Sequence, residues 1–285
     1  MTKNHPRVQS GIVGRRAALG LLGASLSTAL GAGAAPERTP PPAAAGTGTD
    51  AAAALAVHPG ILRRPALTDD PDPARRPVRF KPDFTLPPIQ NGLAPVITKI
   101  ETKHPVVFLT IDDGAVKKPE MVRLMAEYDY PASIFLTKDF VKENPTFFKN
   151  FIAQGSLVEN HTIHHNINMV TQMGYAEQLA EMNAMQDYAQ QQFGRRPTLF
   201  RPPGGAYSTA MRQAVAAAGM KAIITWEAKA NASHMDYQYG KALRPGDIVL
   251  MHFRPEFAAD LAAFRAAQLA AGLEVVLLED FLGVA

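Results

Sequence analysis

The chain has 285 residues, 47% of them hydrophobic and none of them cysteine. A sizeable core is therefore possible, while disulfides, thiolate chemistry, cysteine metal sites and a lipoprotein anchor are excluded. Formal net charge is +3, but residues 1–95 hold 11 Lys+Arg against 6 Asp+Glu (+5) and residues 96–285 hold 18 against 20 (−2). The basic excess belongs to the N-terminal portion, so nucleic-acid binding by the main domain loses its chief support, and any metal must use His, Asp or Glu.

In chain order, Arg15 and Arg16 come first, followed over residues 17–35 by a mildly apolar stretch that ends in small residues. The pattern predicts a twin-arginine export signal over residues 1–35, with Ala32-Gly33-Ala34 suited to a signal peptidase. Its Gly and Ala content makes it weak as a permanent span, leaving an uncleaved anchor as the lesser alternative. The expected product is an exported bacterial protein, secreted or cell-wall associated, that meets the membrane only in transit. Residues 36–83 are rich in Pro and Ala, cannot bury a core, and read as a flexible linker. The folded domain is expected over residues 84–285.

Within it, apolar runs at 106–112, 132–137, 157–160, 199–203, 222–227, 248–252 and 273–279 alternate with helical spacing at 119–128, 145–154, 174–193, 208–218 and 257–271. Such alternation predicts a parallel sheet with outer helices. Seven strands over this length predict a barrel-like arrangement somewhat short of the eightfold form; an open doubly wound sheet is the alternative.

Titratable residues gather where these strands end, the edge at which parallel α/β folds build their sites. Asp112 and Asp113 close the first run. Adjacent residues on an extended chain point opposite ways, yet a turn at Gly114 lets both carboxylates reach one cleft, one for a cation and the other for proton transfer. An ordinary Asp-Gly turn is the plainer alternative. His161 opens "HTIHH". On a helical turn His161 and His165 (i, i+4) share a face and a cation, with His164 a competitor at i+3; two His and one Asp on zinc leave a position for water. Arg201 leaves its strand into "RPPGGAY". If buried it needs a carboxylate, for which Asp112 is the obvious partner, and the glycines let backbone N–H groups approach a ligand. His252 follows four apolar residues and is either a general acid or a satisfied core histidine.

Together these residues resemble the polysaccharide deacetylases of carbohydrate esterase family 4, the NodB-homology domain. The resemblance spans residues 106–252 and is carried by Thr110-Ile111-Asp112-Asp113-Gly114, His161-Thr162-Ile163-His164-His165, Arg201-Pro202-Pro203-Gly204 and Leu250-Met251-His252, in the family's order. It implies a distorted (β/α) barrel. It also implies a divalent metal, most often zinc, on Asp113, His161 and His165. Asp112 would be the general base, oriented by Arg201, and His252 would protonate the leaving amine. Leu250 would line the pocket for the acetyl methyl. The implied reaction removes N-acetyl groups from a polysaccharide such as peptidoglycan or chitin, with acetylated xylan, an ester, left open; a monomer is expected.

Two elements depart from the family. Gly204 stands where the loop aromatic belongs, so a sugar-stacking ring would have to come from Tyr207. Trp226 is kept, but "ITWEAKAN" lacks the aspartates that normally set the charge state of the catalytic histidine, with Glu227 the candidate replacement. These departures sustain a second reading, a cell-wall carbohydrate-binding protein that keeps the metal and has lost turnover. A third is a metal-dependent amidohydrolase acting on small molecules.

Overall fold

The computed structural model describes residues 79–285; the expected export signal and residues 36–78 of the expected linker lie outside the described residues. The chain begins with β1 (Val96–Ile97), β2 (Val106–Asp113), α1 (Pro119–Tyr128), β3 (Ser133–Leu136), α2 (Lys138–Val141), α3 (Thr146–Ile152), β4 (Leu157–Asn160), α4 (Met169–Gln172) and α5 (Tyr175–Phe193). It continues with β5 (Leu199–Phe200), a 3-10 turn (Pro203–Gly205), α6 (Thr209–Ala217), β6 (Ala222–Ile224), β7 (Ala228–Asn231), β8 (His234–Tyr237), β9 (Ile248–His252), α7 (Phe257–Ala270), β10 (Glu274–Val275) and α8 (Leu278–Leu282).

The strands lie in the order β1-β6-β5-β4-β3-β2-β9-β7-β8, with β10 paired to the start of β2. Every pair is parallel except the β7–β8 hairpin. What curls this sheet is one chain segment. β6 pairs with β5, and after a three-residue bend its continuation, β7, pairs with β9. The two flanks of the sheet are thereby drawn together into the distorted (β/α) barrel that the strand–helix alternation implies.

β2 shows how the sequence dictates two cores. With a side-chain period of two, Val107, Leu109 and Ile111 pack outward with Met121, Leu124 and Met125 of α1, Phe148 and Phe151 of α3, and Phe264 of α7. Val106 and Phe108 point inward, with Phe135, Ile224, Ile248 and Phe281. Thr110 and Asp112 continue that inward row, so the period alone aims Asp112 into the barrel mouth.

Each of the seven expected runs holds a strand, but three end differently. The run 199–203 is a strand only at Leu199–Phe200 before the 3-10 turn, the run 222–227 breaks after Ile224, and the run 273–279 is a strand only at Glu274–Val275 before it becomes α8. Short apolar runs do not distinguish strand from helix. Here Leu278, Phe281 and Leu282 fall at helical spacing and fill the barrel interior from below. Residue 84 is not where packing starts: Phe80 already stacks against His104, 5.1 Å between ring centroids. Among the described residues no helix is long and apolar enough to cross a membrane.

Candidate metal and catalytic site

The site lies at the C-terminal ends of β2, β4, β5 and β9. Asp112 is the penultimate residue of β2 and only 3% exposed. Arg201, entirely buried, follows β5 and donates from Nη1 to Asp112 Oδ1 (2.7 Å) and to Thr110 Oγ1 (2.7 Å). Its Nε and Nη2 donate to the carbonyls of Ile224 (3.2 Å) and Thr225 (3.3 Å), and the guanidinium lies over the Phe135 ring, 4.3 Å from its centroid. Burial lowers the Arg201 pKa and the Asp112 carboxylate opposes that shift. A buried guanidinium needs such dense hydrogen bonding and a carboxylate partner. The outcome is an Asp112 with one oxygen fixed and the other, Oδ2, turned towards His161 Nε2 at 3.8 Å.

Asp113 should face the opposite side of the sheet from Asp112, but its φ of 77° turns the chain before Gly114, whose own φ is 84°. A Cβ on Gly114 would lie 2.4 Å from Val141 Cγ1, so no other residue completes the turn without displacing the α2 core. That backbone brings both carboxylates to one cleft. Thr137 ties the turn to the next strand end: its N–H donates to Asp113 O (3.1 Å) and its hydroxyl to His161 O (2.9 Å).

His161 and His165 do converge, though not on a helical turn as the spacing suggests. Residues 161–168 form no helix, and Thr162 (φ 71°) and His165 (φ 55°) are both left-handed. Such residues cost about 1–3 kcal/mol each and persist only where the surroundings over-determine them. Asn160 Oδ1 accepts the Thr162 N–H (3.0 Å), and Thr162 Oγ1 accepts the His165 N–H (3.2 Å). Competition from these side chains for the backbone displaces the helical turn. His164 swings outward to Asp139 Oδ2, 2.6 Å from its Nδ1.

The three side chains expected to bind a cation fit that task. One ligand atom each from Asp113, His161 and His165 lie within 4.8 Å of one another. His161 Nδ1 lies 2.7 Å from the Arg201 carbonyl, which fixes its proton there and leaves the Nε2 lone pair facing Asp113. Asp113 Oδ1 is buried and accepts no well-formed hydrogen bond, although His165 Nε2 is 3.0 Å away and His161 Nε2 3.5 Å away. One carboxylate oxygen and two imidazole nitrogens facing one point are a donor set that a divalent ion takes once both rings present a lone pair to it. Burial pushes the Asp113 pKa up, but His161 and His165 outweigh it and hold the carboxyl well below the usual carboxylate range. Contact with Asp113 raises His165 against the effect of burial.

The opposite wall is sparser. His252 ends β9 as the direct register partner of Asp112 on β2, and its buried Nδ1 has no hydrogen-bond partner. Burial lowers its pKa, Asp112 and Asp113 raise it less, and Arg254 adds to the depression. Glu227 does not supply the missing acid, because it pairs with Arg244 Nη2 at 2.8 Å. The β7–β9 register carries Lys229 to Leu250, and two residues further it brings Asn231 to the level of His252. Asn231 Oδ1, however, accepts from Arg254 Nη1 (2.6 Å), and Arg254 also pairs with Asp260 (2.7 Å). Leu250 is buried on the same face as His252.

The Trp226 ring packs on Gly205 and lies over the Arg201 guanidinium at 5.8 Å, so it roofs the arginine loop. Gly204 has φ 70°, and a Cβ there would meet Ile167 Cβ at 3.4 Å. Ile167 (57% exposed) and Tyr207 (47% exposed) are the open apolar groups of this rim. Sequence reasoning missed Thr110, Phe135, Asn160 and Glu181. Asn160 was accessible as an amide beside His161, and Glu181 as a carboxylate among Gln178, Met182, Met185 and Gln186 on the buried face of α5.

A family model described as polysaccharide deacetylase matches residues 99–223, which takes in the aspartate, histidine and arginine elements but ends short of Trp226 and His252. An uncharacterized protein of Streptomyces coelicolor is 36% identical over 173 residues, 60% of this chain and 69% of that one. A chitooligosaccharide deacetylase of Sinorhizobium fredii is 30% identical over 160 residues, 53% of this chain and 73% of its own length. Among solved structures, a mutant Bacillus anthracis protein described as a CE4 family pseudoenzyme with restored activity superposes with a TM-score of 0.57. That match is 22% identical and covers 66% of this chain and 71% of the other; at this identity it supports the fold alone.

Proposed function

The chain belongs to the polysaccharide deacetylase family, hydrolases of amide bonds, and on that premise we propose that it is an exported, metal-dependent enzyme removing N-acetyl groups from a glycan such as peptidoglycan or chitin. The observation that carries this reading is the convergence of Asp113, His161 and His165 beside an Asp112 locked by a fully buried arginine. Bound there, a divalent cation, zinc in our reading, supplies Lewis acidity towards an amide carbonyl and lowers the pKa of water.

The chain's own residues do the rest. Asp112 Oδ2 takes a proton from the attacking water, while Arg201 keeps Oδ1 from rotating away. The loop after β5 offers few donors for an oxyanion. Between residues 201 and 205, Pro202 and Pro203 have no N–H, Arg201 N–H is committed to Asn160 O (3.0 Å) and Gly205 N–H to Pro202 O (2.9 Å), which leaves Gly204 N–H within that stretch. His252 gives the proton to the departing nitrogen. Leu250, on the same face, meets the acetyl methyl, and Tyr207 meets the sugar in place of the loop aromatic.

The unpartnered His252 favours a second reading: a wall-bound carbohydrate-binding protein that keeps the cation and turns over slowly or not at all. One experiment separates the two. The purified chain is stripped with a chelator, restored with zinc, and assayed for acetate release from N-acetylglucosamine oligomers and peptidoglycan. Zinc-dependent release supports the enzyme. Tight zinc binding with no release from these or from acetylated xylan supports the binder.

A further inference from the structure

We infer that Glu181 of α5 is a positioning residue of the cation site, selecting which two of the three clustered histidines face the ion. The inference rests on reading Asp113, His161 and His165 as that site. Glu181 lies outside every sequence element that marks the family and touches no expected ligand side chain. It is nonetheless nearly buried, and its Oε2 accepts both the Ile163 N–H (3.1 Å) and the His164 N–H (3.2 Å). Those are the amides midway between His161 and His165. Its other oxygen, Oε1, is 3.5 Å from His164 Nε2, while Asp139 holds Nδ1 of the same ring. One carboxyl group thus fixes the loop backbone and keeps the competing histidine turned away.

The geometry explains why a carboxylate is placed there. The loop holds two left-handed residues, Thr162 and His165, and without external restraint it relaxes towards ordinary backbone angles. The opposite side of the loop is pinned from the β3–α2 junction, where Lys138 N–H donates to Thr162 O (3.2 Å) and Asp139 N–H to Ile163 O (3.0 Å). The pin on the α5 side is Glu181. α5 is a firm base for it, since Met182 and Met185 are wholly buried and Asn160 Nδ2 donates to the Met182 carbonyl (2.9 Å). A residue that orients ligands without touching the ion changes ion affinity by about 10–100-fold.

The test needs no substrate. Zinc is titrated calorimetrically into the chelator-stripped full chain as wild type, Glu181→Ala and Glu181→Gln, and the visible absorption of cobalt(II) added in place of zinc reports the ligand set. Asp260→Asn, at a buried carboxylate of α7 that bonds Ser233 and Arg254, controls for lost stability. The expected result is a 10–100-fold loss of zinc affinity and an altered cobalt band in Glu181→Ala. Glu181→Gln, whose amide oxygen still accepts both N–H groups, recovers most of each, and Asp260→Asn changes neither. Wild-type affinity in Glu181→Ala overturns the inference, as does a loss that Glu181→Gln shares in full. A wild type that binds no zinc refutes the metal reading and this inference with it. If Glu181→Ala does not fold, hydrogen exchange of the wild type decides: the Ile163 and His164 amides must be protected, and rapid exchange at both overturns the inference.

Discussion

The two walls of the cleft are built to different standards. On the β2–β5 wall, β2, β4 and β5, the β3–α2 junction and α5 contribute to one bonded network, in which Arg201 alone donates four hydrogen bonds. On the β7–β9 wall, the side chains that could steady His252 are engaged elsewhere: Glu227 with Arg244, and Asn231 with Arg254. A general base must be held in one orientation, and the first wall holds Asp112 so. A general acid needs a neighbour that stabilises its proton, and the second wall holds Arg254 instead. The difference predicts a site that binds its ion well and is limited in proton donation.

The largest effect should come from the well-built wall. Asp112→Asn removes the base but not the ligands, so zinc affinity should hold while acetate release falls by about 10²–10⁴-fold. Zinc affinity lost together with activity would show that Asp112 helps hold the ion, and the division of labour between the two aspartates would be wrong. Arg201→Leu should come next and should register first as stability. It leaves the Asp112 carboxylate buried and unpaired, at a cost of about 3–5 kcal/mol, read from urea denaturation. Arg201→Leu with Asp112→Asn should recover part of that loss.

The weaker wall is tested by pH. A histidine whose proton is disfavoured by burial and by Arg254 has its pKa below the ordinary value of 6.5. As an acid it works only when protonated, so kcat/KM should fall with rising pH through a point below 6.5 and be low at neutrality. Asn231→Asp places a negative charge at the level of His252, so it should move that falling limb upward and raise the rate at pH 7. An unmoved limb would mean that His252 does not titrate in the profile, which favours the non-catalytic reading. If the limb does move, His252→Ala should cost little at pH 7 in the wild type and more in Asn231→Asp.

The same contrast governs what the sequence discloses. The residues we read as ligands and base are legible because strand period, strand ends and spacing confine them: Asp112 and Arg201 pair as burial demands, and His161 and His165 converge with Asp113. The path of the loop is not legible. The i, i+4 spacing of two histidines says helix, whereas the hydrogen-bonding of Asn160 and Thr162 to nearby amides decides against it. Glu181 is invisible as a partner because the groups it binds are backbone amides, which carry no residue identity. The β6–β7 bend is hidden for a related reason: one apolar run feeds two flanks of a curled sheet, and only closure of the barrel shows where it breaks.

The smallest effect concerns Gly204, where an aromatic is expected and none is present. Its φ of 70° strains any L side chain, and Ile167 already sits 3.4 Å from the Cβ position. Gly204→Ala should therefore destabilise the chain by about 1 kcal/mol, read as a small drop in melting temperature, with zinc affinity unchanged. Gly204→Tyr should be worse than Gly204→Ala, and truncation at Ile167→Ala should relieve only the excess, since the backbone strain remains. If the double variant Gly204→Tyr with Ile167→Ala lowers KM for N-acetylglucosamine oligomers while kcat stays flat, the rim limits sugar binding and His252 limits turnover. A rise in kcat instead would place the deficit in the arginine loop rather than on the β7–β9 wall.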